Sequence, residues 1–338
     1  MTVTQIQQAK IFALEYLRQS EISHGVPSDD PFSLWIQAKM YQNKNGYDSI
    51  VSSVYRAAAY LGYGDAQRLL VTMVQEGDVL YVEDRVMEET RIKEQAEQNE
   101  IWAQLDLSYM YLHGVGVKQN SKQALAWFKS AAQIKPLKGK ENGLIWMASY
   151  LAGWMDDTSQ GIEQDHKQAF EWYKKAADTG YGDAQLRLAE MYQQGLGIEQ
   201  NNQLAIEWYQ TAAEQDYHKA QRVLADLYRT GTLLKQDSKL AFKWYKKAAA
   251  LEDLPAQYAL AEMYYQGEGT AKDDSKAYIF ADYLSQQYSH VEATKLSEQI
   301  KKDMTSEQLE TATTLQQQWL HDAKYRTLGV AVEPPFEW

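Results

Sequence analysis

Three consecutive rows of 36 residues decide the fold: DHKQAFEWYKKAADTGYGDAQLRLAEMYQQGLGIEQ (165–200), NNQLAIEWYQTAAEQDYHKAQRVLADLYRTGTLLKQ (201–236) and DSKLAFKWYKKAAALEDLPAQYALAEMYYQGEGTAK (237–272). Asp165 stands over Asn201 and Asp237, and Asp273 opens a fourth row. Trp172 stands over Trp208 and Trp244, Ala184 over Ala220 and Ala256, Tyr192 over Tyr228 and Tyr264, and Gly195 over Gly231 and Gly267. Self-similarity at a period of this length marks stacked helix pairs, because one pair cannot bury its own apolar stripe.

Each row encodes two helices. Ala184, Leu188, Ala189 and Tyr192 fall at i, i+4, i+5 and i+8 and make one apolar stripe. Gly195 is a helix stop, since glycine takes the left-handed C-cap without steric cost. Asn201 and its aspartate counterparts then cap the next helix through a side-chain oxygen. That helix carries Ala205, Trp208, Tyr209, Ala212 and Ala213, and Trp172, Trp208 and Trp244 are expected in the core.

The pattern Ala-x-x-x-Leu-Ala-x-x-Tyr-x-x-Gly-x-Gly, then Asp or Asn, then Ala-x-x-Trp-Tyr-x-x-Ala-Ala resembles the Sel-one-like repeat, a relative of the tetratricopeptide repeat. The match is strongest over Asn120–Ala132 and Asp165–Gly269. Leu233 replaces the second loop glycine and Phe280 the repeat tryptophan, so deviations are expected there. The resemblance implies an all-α, right-handed α-solenoid of about seven helix-turn-helix repeats with capping helices at both ends. It also implies a protein-binding role.

Working outward, repeats start near residues 33, 66, 103, 142, 184, 220 and 256, giving a solenoid over 32–292. Residues 1–31 read as an N-terminal capping helix and loop, 293–326 as C-terminal capping helices, and 327–338 as an extended tail. Gly62–Gln67 is identical to Gly180–Gln185, which starts the second repeat at Ala66. Thr305-Ser306-Glu307-Gln308 resembles a capping box before Leu309, Ala312, Leu315 and Trp319. Trp127 and Trp172 are 45 apart, nine beyond the period. Aligning Gly153 with Gly195 divides those nine into three before the first helix of repeat four and six in a loop at Met155–Gln164.

Composition bounds the function. The net charge of −12, from 46 acids against 34 bases, argues against nucleic acid, whose phosphates demand a basic stripe. It reads as plain solubility, with attraction of a basic partner as the sharper alternative. No apolar run approaches the ~20 residues of a membrane span, and Lys10, Glu15 and Arg18 interrupt any secretion signal. The absence of cysteine fits a cytoplasmic address. No cofactor or metal is expected: the six histidines never pair at ligand spacing, and the Gly-x-Gly loops follow helices rather than strands.

What remains is a binding surface. In tetratricopeptide-like stacks the first helices line a concave face. Carried over, those positions give Trp35, Arg68, Trp102, Leu105, Tyr109, His113, Leu144, Leu151, Glu190, Arg222, Asp226, Arg229, Tyr258 and Tyr265 as partner-binding residues. Trp102, Leu105, Tyr109, Leu112, Leu144 and Leu151 would form an apolar patch of the kind that makes hot spots, the alternative being a superhelix tight enough to bury them internally. The run Glu83–Glu100 carries seven acids against three bases, and Glu88 and Glu89 in it would steer a partner. The expected function is non-enzymatic binding of another protein, as a dedicated inhibitor such as an immunity protein neutralising a toxin, or as a general adaptor or signalling regulator. A hydrolase using groove carboxylates is the third reading. The oligomeric state is open.

Overall fold

The structure, a computed structural model, describes residues 71–72, 74–75, 89–135 and 143–322. Trp35, Arg68, Glu88, the N-terminal cap and the tail lie outside these residues. Among the described residues there are 13 α-helices and no strand. They fall into two compact units, one ending at Asn201 and the other starting at Asn202.

The first unit holds α1 (Glu89–Glu97), α2 (Ile101–His113), α3 (Ser121–Gln133), α4 (Gly143–Thr158), α5 (His166–Ala177) and α6 (Gly182–Gln194). The second holds α7 (Asn202–Glu214), α8 (His218–Thr230), α9 (Ser238–Ala250), α10 (Leu254–Gln266), α11 (Asp274–Tyr288), α12 (Val291–Asp303) and α13 (Ser306–Asp322). Within each unit successive helices pack on one another up to α12, and α13 folds back onto α11 instead. This is the low-order contact pattern of helical repeats.

The buried stripes follow the sequence pattern. Ala169, Tyr173, Ala176 and Ala177 of α5 are repeated by Ala205, Tyr209, Ala212 and Ala213 of α7 and by Ala241, Tyr245, Ala248 and Ala249 of α9. Alanine at these positions lets helix axes approach, and one tyrosine per helix fills the remaining volume. The expected core tryptophans are corrected here. Trp172, Trp208 and Trp244 are only half-buried, while Tyr173, Tyr209 and Tyr245 beside them are 2% exposed. Consecutive helical residues point about 100° apart, and in these three helices the tyrosine takes the inward position while the tryptophan lies on the flank. Lysine ammoniums cover the outer rings instead: Lys247 Nζ lies 4.4 Å from the centre of Trp244, and Lys175 Nζ 5.6 Å from that of Trp172. In α11 the aromatic moves inward. Phe280, at the tryptophan position, is fully buried and stacks on Tyr264.

A second device recurs four times. Gln104, Gln185, Gln221 and Gln257 are buried, and each donates its side-chain N–H to a carbonyl near the end of the helix eight residues back: Ala96, Ala177, Ala213 and Ala249 at 2.9–3.3 Å. Each of these carbonyls also accepts the backbone N–H three residues on, so the clasp fills its second lone pair while joining two helices.

The helix boundaries are set by caps. Asn120, Asp165 and Asp273 each accept from the N–H three residues on, at 3.0–3.1 Å, and Asp237 accepts from both Lys239 and Leu240. Thr305 and Gln308 exchange the two bonds of a capping box at the start of α13. Two loop glycines do more than turn the chain. A Cβ on Gly197 would collide with the carbonyl oxygen of His166, and one on Gly269 with that of Ser238. Each loop therefore lies directly on the first turn of the second helix of the preceding repeat. Leu233 occupies the equivalent place after Gly231 without a positive φ, so that loop takes another course.

The nine extra residues of repeat four are also placed differently from expectation. Asn120, Asp165, Asn201, Asp237 and Asp273 each donate their N–H to the carbonyl nine residues earlier, on Tyr111, Asp156, Tyr192, Tyr228 and Tyr264. Asp156 is thus the counterpart of Tyr192. Ser159, left-handed at φ 55°, is the counterpart of Gly195. Gly153 is an interior residue of α4, its Cα against the ring of Tyr173, rather than a helix stop. Six of the nine residues therefore lie in the connection between α3 and α4, three lengthen the start of α4, which has 16 residues where α6 has 13, and the loop after α4 keeps the ordinary length.

Candidate functional site

In the corrected register, three equivalent positions recur on the first helix of each repeat. They are Leu105, Tyr109 and Leu112 on α2; Tyr150, Trp154 and Asp157 on α4; and Leu186, Glu190 and Gln193 on α6. In the second unit they are Arg222, Asp226 and Arg229 on α8, and Tyr258, Glu262 and Tyr265 on α10.

In the first unit the expected apolar patch is not a surface. Leu105, Tyr109 and Leu112 are 3–6% exposed, Leu144 is 3% and Leu151 is fully buried. Leu144 and Leu151 depend on the Gly153 alignment; six residues on, the row runs through Tyr150 and Asp157 instead. On α2 the burial has a visible partner. The His113 ring leans on Tyr109 at 4.8 Å, and His113 Nε2 lies 2.7 Å from the carbonyl oxygen of Val74. Val71 and Val74 are themselves buried. Trp102 and His113 are half-buried, and Glu89 opens α1.

The residue that organises this unit's row is Asp157, which the sequence reading missed. It is 4% exposed, and every one of its contacts is a donor. Arg187 reaches Oδ2 with two guanidinium nitrogens at 2.8 Å, Tyr173 donates its hydroxyl to the same oxygen, and His166 Nδ1 lies 3.0 Å from Oδ1. The same Arg187 holds Glu190 at 2.7 Å. The repeat period counted back from Gln193 leads to Asp157 once Ser159 is recognised as the helix stop.

The second unit repeats this logic with its carboxylates more open. Asp253 is 5% exposed and receives Arg222 at 3.2 Å, His218 at 3.0 Å and the N–H of Ala256 at 2.9 Å. Burial opposes ionisation of Asp253, but these donors outweigh it and hold the carboxyl below its usual range. Arg222 also faces Asp226, which accepts from the hydroxyl of Tyr245. Burial pushes the Asp226 carboxyl above its usual range. Arg229 bridges Glu262 at 3.1 Å and Glu268 at 2.9 Å. Tyr258 stacks on His290 at 5.1 Å, and Tyr265 donates to Asp303 at 2.6 Å with Lys272 over its ring. Arg222, Asp226, Arg229, Tyr258, Glu262 and Tyr265 are all half-buried. The result is a row of fixed charges and aromatic rims still open to solvent. Among the described residues no group of three or more His, Asp or Glu could hold a metal ion, and no helix is long and apolar enough to cross a membrane.

The repeat geometry meets an independent match here. The family model for the Sel1 repeat fits residues 103–134, 146–181, 182–217, 218–253 and 254–282. The chain belongs to the Sel1-repeat family. The fourth-repeat match, at an uninterrupted 36 residues, agrees with the register set by Asp156 and Ser159. A Sel1 repeat protein from Oxalobacter formigenes shares the fold, with a TM-score of 0.52 and 24% identity over 65% of this chain and 84% of its own. Two more distant likenesses are a protective antigen of uropathogenic Escherichia coli with an SLR fold (TM-score 0.35, 23% identity, 98% of this chain and 84% of its own) and the immunity protein Pa5087 from Pseudomonas aeruginosa (0.38, 18%, 71% and 82%). No curated protein matches the sequence. Sel1-repeat proteins mediate protein–protein interaction and are typically non-enzymatic scaffolds.

Proposed function

We propose that this Sel1-repeat protein is a non-enzymatic binding protein that takes a basic protein partner on the first-helix row of residues 202–322, and that it serves as a dedicated inhibitor, such as an immunity protein neutralising an effector toxin. One observation carries the reading. Arg222 and Arg229 fix Asp226, Glu262 and Glu268 in place while Tyr258 and Tyr265 frame them, half-exposed. Side chains already held by their neighbours lose little entropy on binding, so they suit recognition. The net charge of −12 supports a basic partner, because it raises the encounter rate at low salt.

The test begins with capture of partners by the full chain from its own cells, followed by binding kinetics on the recovered protein. Tyr258→Ala and Tyr265→Ala are expected to weaken binding by ~2 kcal/mol or more. Glu262→Lys is expected chiefly to slow association and flatten its salt dependence. Co-expression should then abolish the partner's toxicity or enzymatic activity. Wild-type affinity in both tyrosine variants would move the site elsewhere. A partner that is bound but keeps full activity would replace the inhibitor reading with that of an adaptor.

A further inference from the structure

We propose that the solvent face of α9 is a second docking surface, and that its occupant is an acidic helix of a partner protein. In a chain with 46 acids and 34 bases, α9 (SKLAFKWYKKAAA) has four lysines and no acid. Lys239, Lys243 and Lys247 are exposed and follow one another at i, i+4 and i+8. At 1.5 Å rise per residue they form a stripe of ammoniums about 6 Å apart. Among the described residues no carboxylate forms an ion pair with any of the three. Lys246 borders the stripe over the ring of Phe242, whereas Lys276 of α11 is paired with Asp273. Along one flank of the stripe lie Leu240, 36% exposed, and the half-buried ring of Trp244, which Lys247 overhangs.

The backbone beneath is well packed. The opposite face of α9, with Ala241, Tyr245, Ala248 and Ala249, is buried against α8 and α10. Charge complementarity selects the occupant. A helix carrying carboxylates at i, i+4 and i+8 has the same rise and meets each ammonium in turn, and Leu240 and Trp244 supply an apolar contact along one flank. Nucleic acid fits poorly, since three lysines on a chain of net charge −12 neutralise few phosphates. A lipid surface fits poorly as well, because a helix that lies in a membrane interface turns its apolar face outward and α9 turns it inward. This surface goes beyond the basic partner proposed above: it lies on a second helix rather than the first-helix row and has the opposite charge. A protein with both surfaces bridges two partners.

The experiment uses the full chain and two labelled helical peptides of identical composition. One carries three glutamates at i, i+4 and i+8 on one face beside a leucine; the other spreads them around the helix. Fluorescence anisotropy is expected to show the one-faced peptide binding roughly tenfold tighter. The triple reversal K239E/K243E/K247E is expected to remove that preference, with helical circular dichroism retained. A triple reversal of equal charge on α12, K295E/K301E/K302E, is expected to leave it intact. Should the triple variant unfold, the milder pair K243Q/K247Q is expected to lose the preference in the same way. Equal binding of the two peptides, wild-type preference in the α9 variants, or equal loss in the α12 variant would each overturn the proposal. So would tighter binding of phosphatidylglycerol vesicles or a single-stranded oligonucleotide to the same lysines. Tyr258 and Tyr265 are untouched throughout, so this result is independent of the one for the first-helix row.

Discussion

At the scale of single residues, an angle of about 100° separates Trp208 from Tyr209, and it sends the larger ring to the surface. Truncation should follow burial rather than size. Tyr209→Ala is expected to cost roughly 3–5 kcal/mol, as fully buried aromatics do, and Trp208→Ala clearly less. Urea denaturation of the two variants measures both. Composition could not separate these neighbours, because both fit an apolar stripe and only packing between helices decides which one faces inward. Asp253 makes a different prediction. Its folded-state pKa lies below the unfolded value, so its contribution is complete above the ordinary value of 3.8 and lost as pH falls through the folded pKa. Melting temperature should therefore drop on the acid side, and Asp253→Asn should flatten that limb while lowering stability at neutral pH. An unchanged acid limb would show that Arg222 and His218 do not hold the carboxylate.

At the scale of helices and their connections, two loop positions respond oppositely to glycine chemistry. Gly197→Ala would force a Cβ into the His166 carbonyl at a left-handed φ of 72°, so the α6–α7 loop must leave its seat on α5. Ser159 already holds a left-handed φ of 55° with a side chain, and Ser159→Gly is expected to stabilise the protein by up to about 1 kcal/mol. Thermal melts of the two variants shifting in the same direction would refute this account. Caps, stops and helix pairs were legible in sequence because a local residue type enforces each. The register of repeat four was not. Its left-handed stop is a serine and its tyrosine an aspartate, while Gly153, which resembles a stop, is small because the Tyr173 ring lies on it. The candidate site suffered accordingly: Arg222, Asp226, Arg229, Tyr258 and Tyr265 were legible by period alone, whereas Asp157 and Arg187 depended on that register.

At the scale of the whole molecule, a net charge of −12 coexists with local order of both signs: arginines clipped between carboxylates on first helices, and a lysine stripe on α9. Long-range attraction for a basic partner should fade as ionic strength rises and the Debye length falls to about 8 Å at 0.15 M. Contacts at Tyr258 and Tyr265 should persist, so salt would lower the association rate more than it raises dissociation. The placement of six of the nine extra residues between α3 and α4 has a practical side. The chain has already accommodated added length between Lys135 and Gly143 while Trp127 and Trp172 keep their roles on either side. That joint is where an epitope tag, a fluorophore attachment site or new chain termini made by circular permutation should be accepted with the melting temperature retained. The same cargo placed in the loop at Gly197, which is seated on α5, should not be.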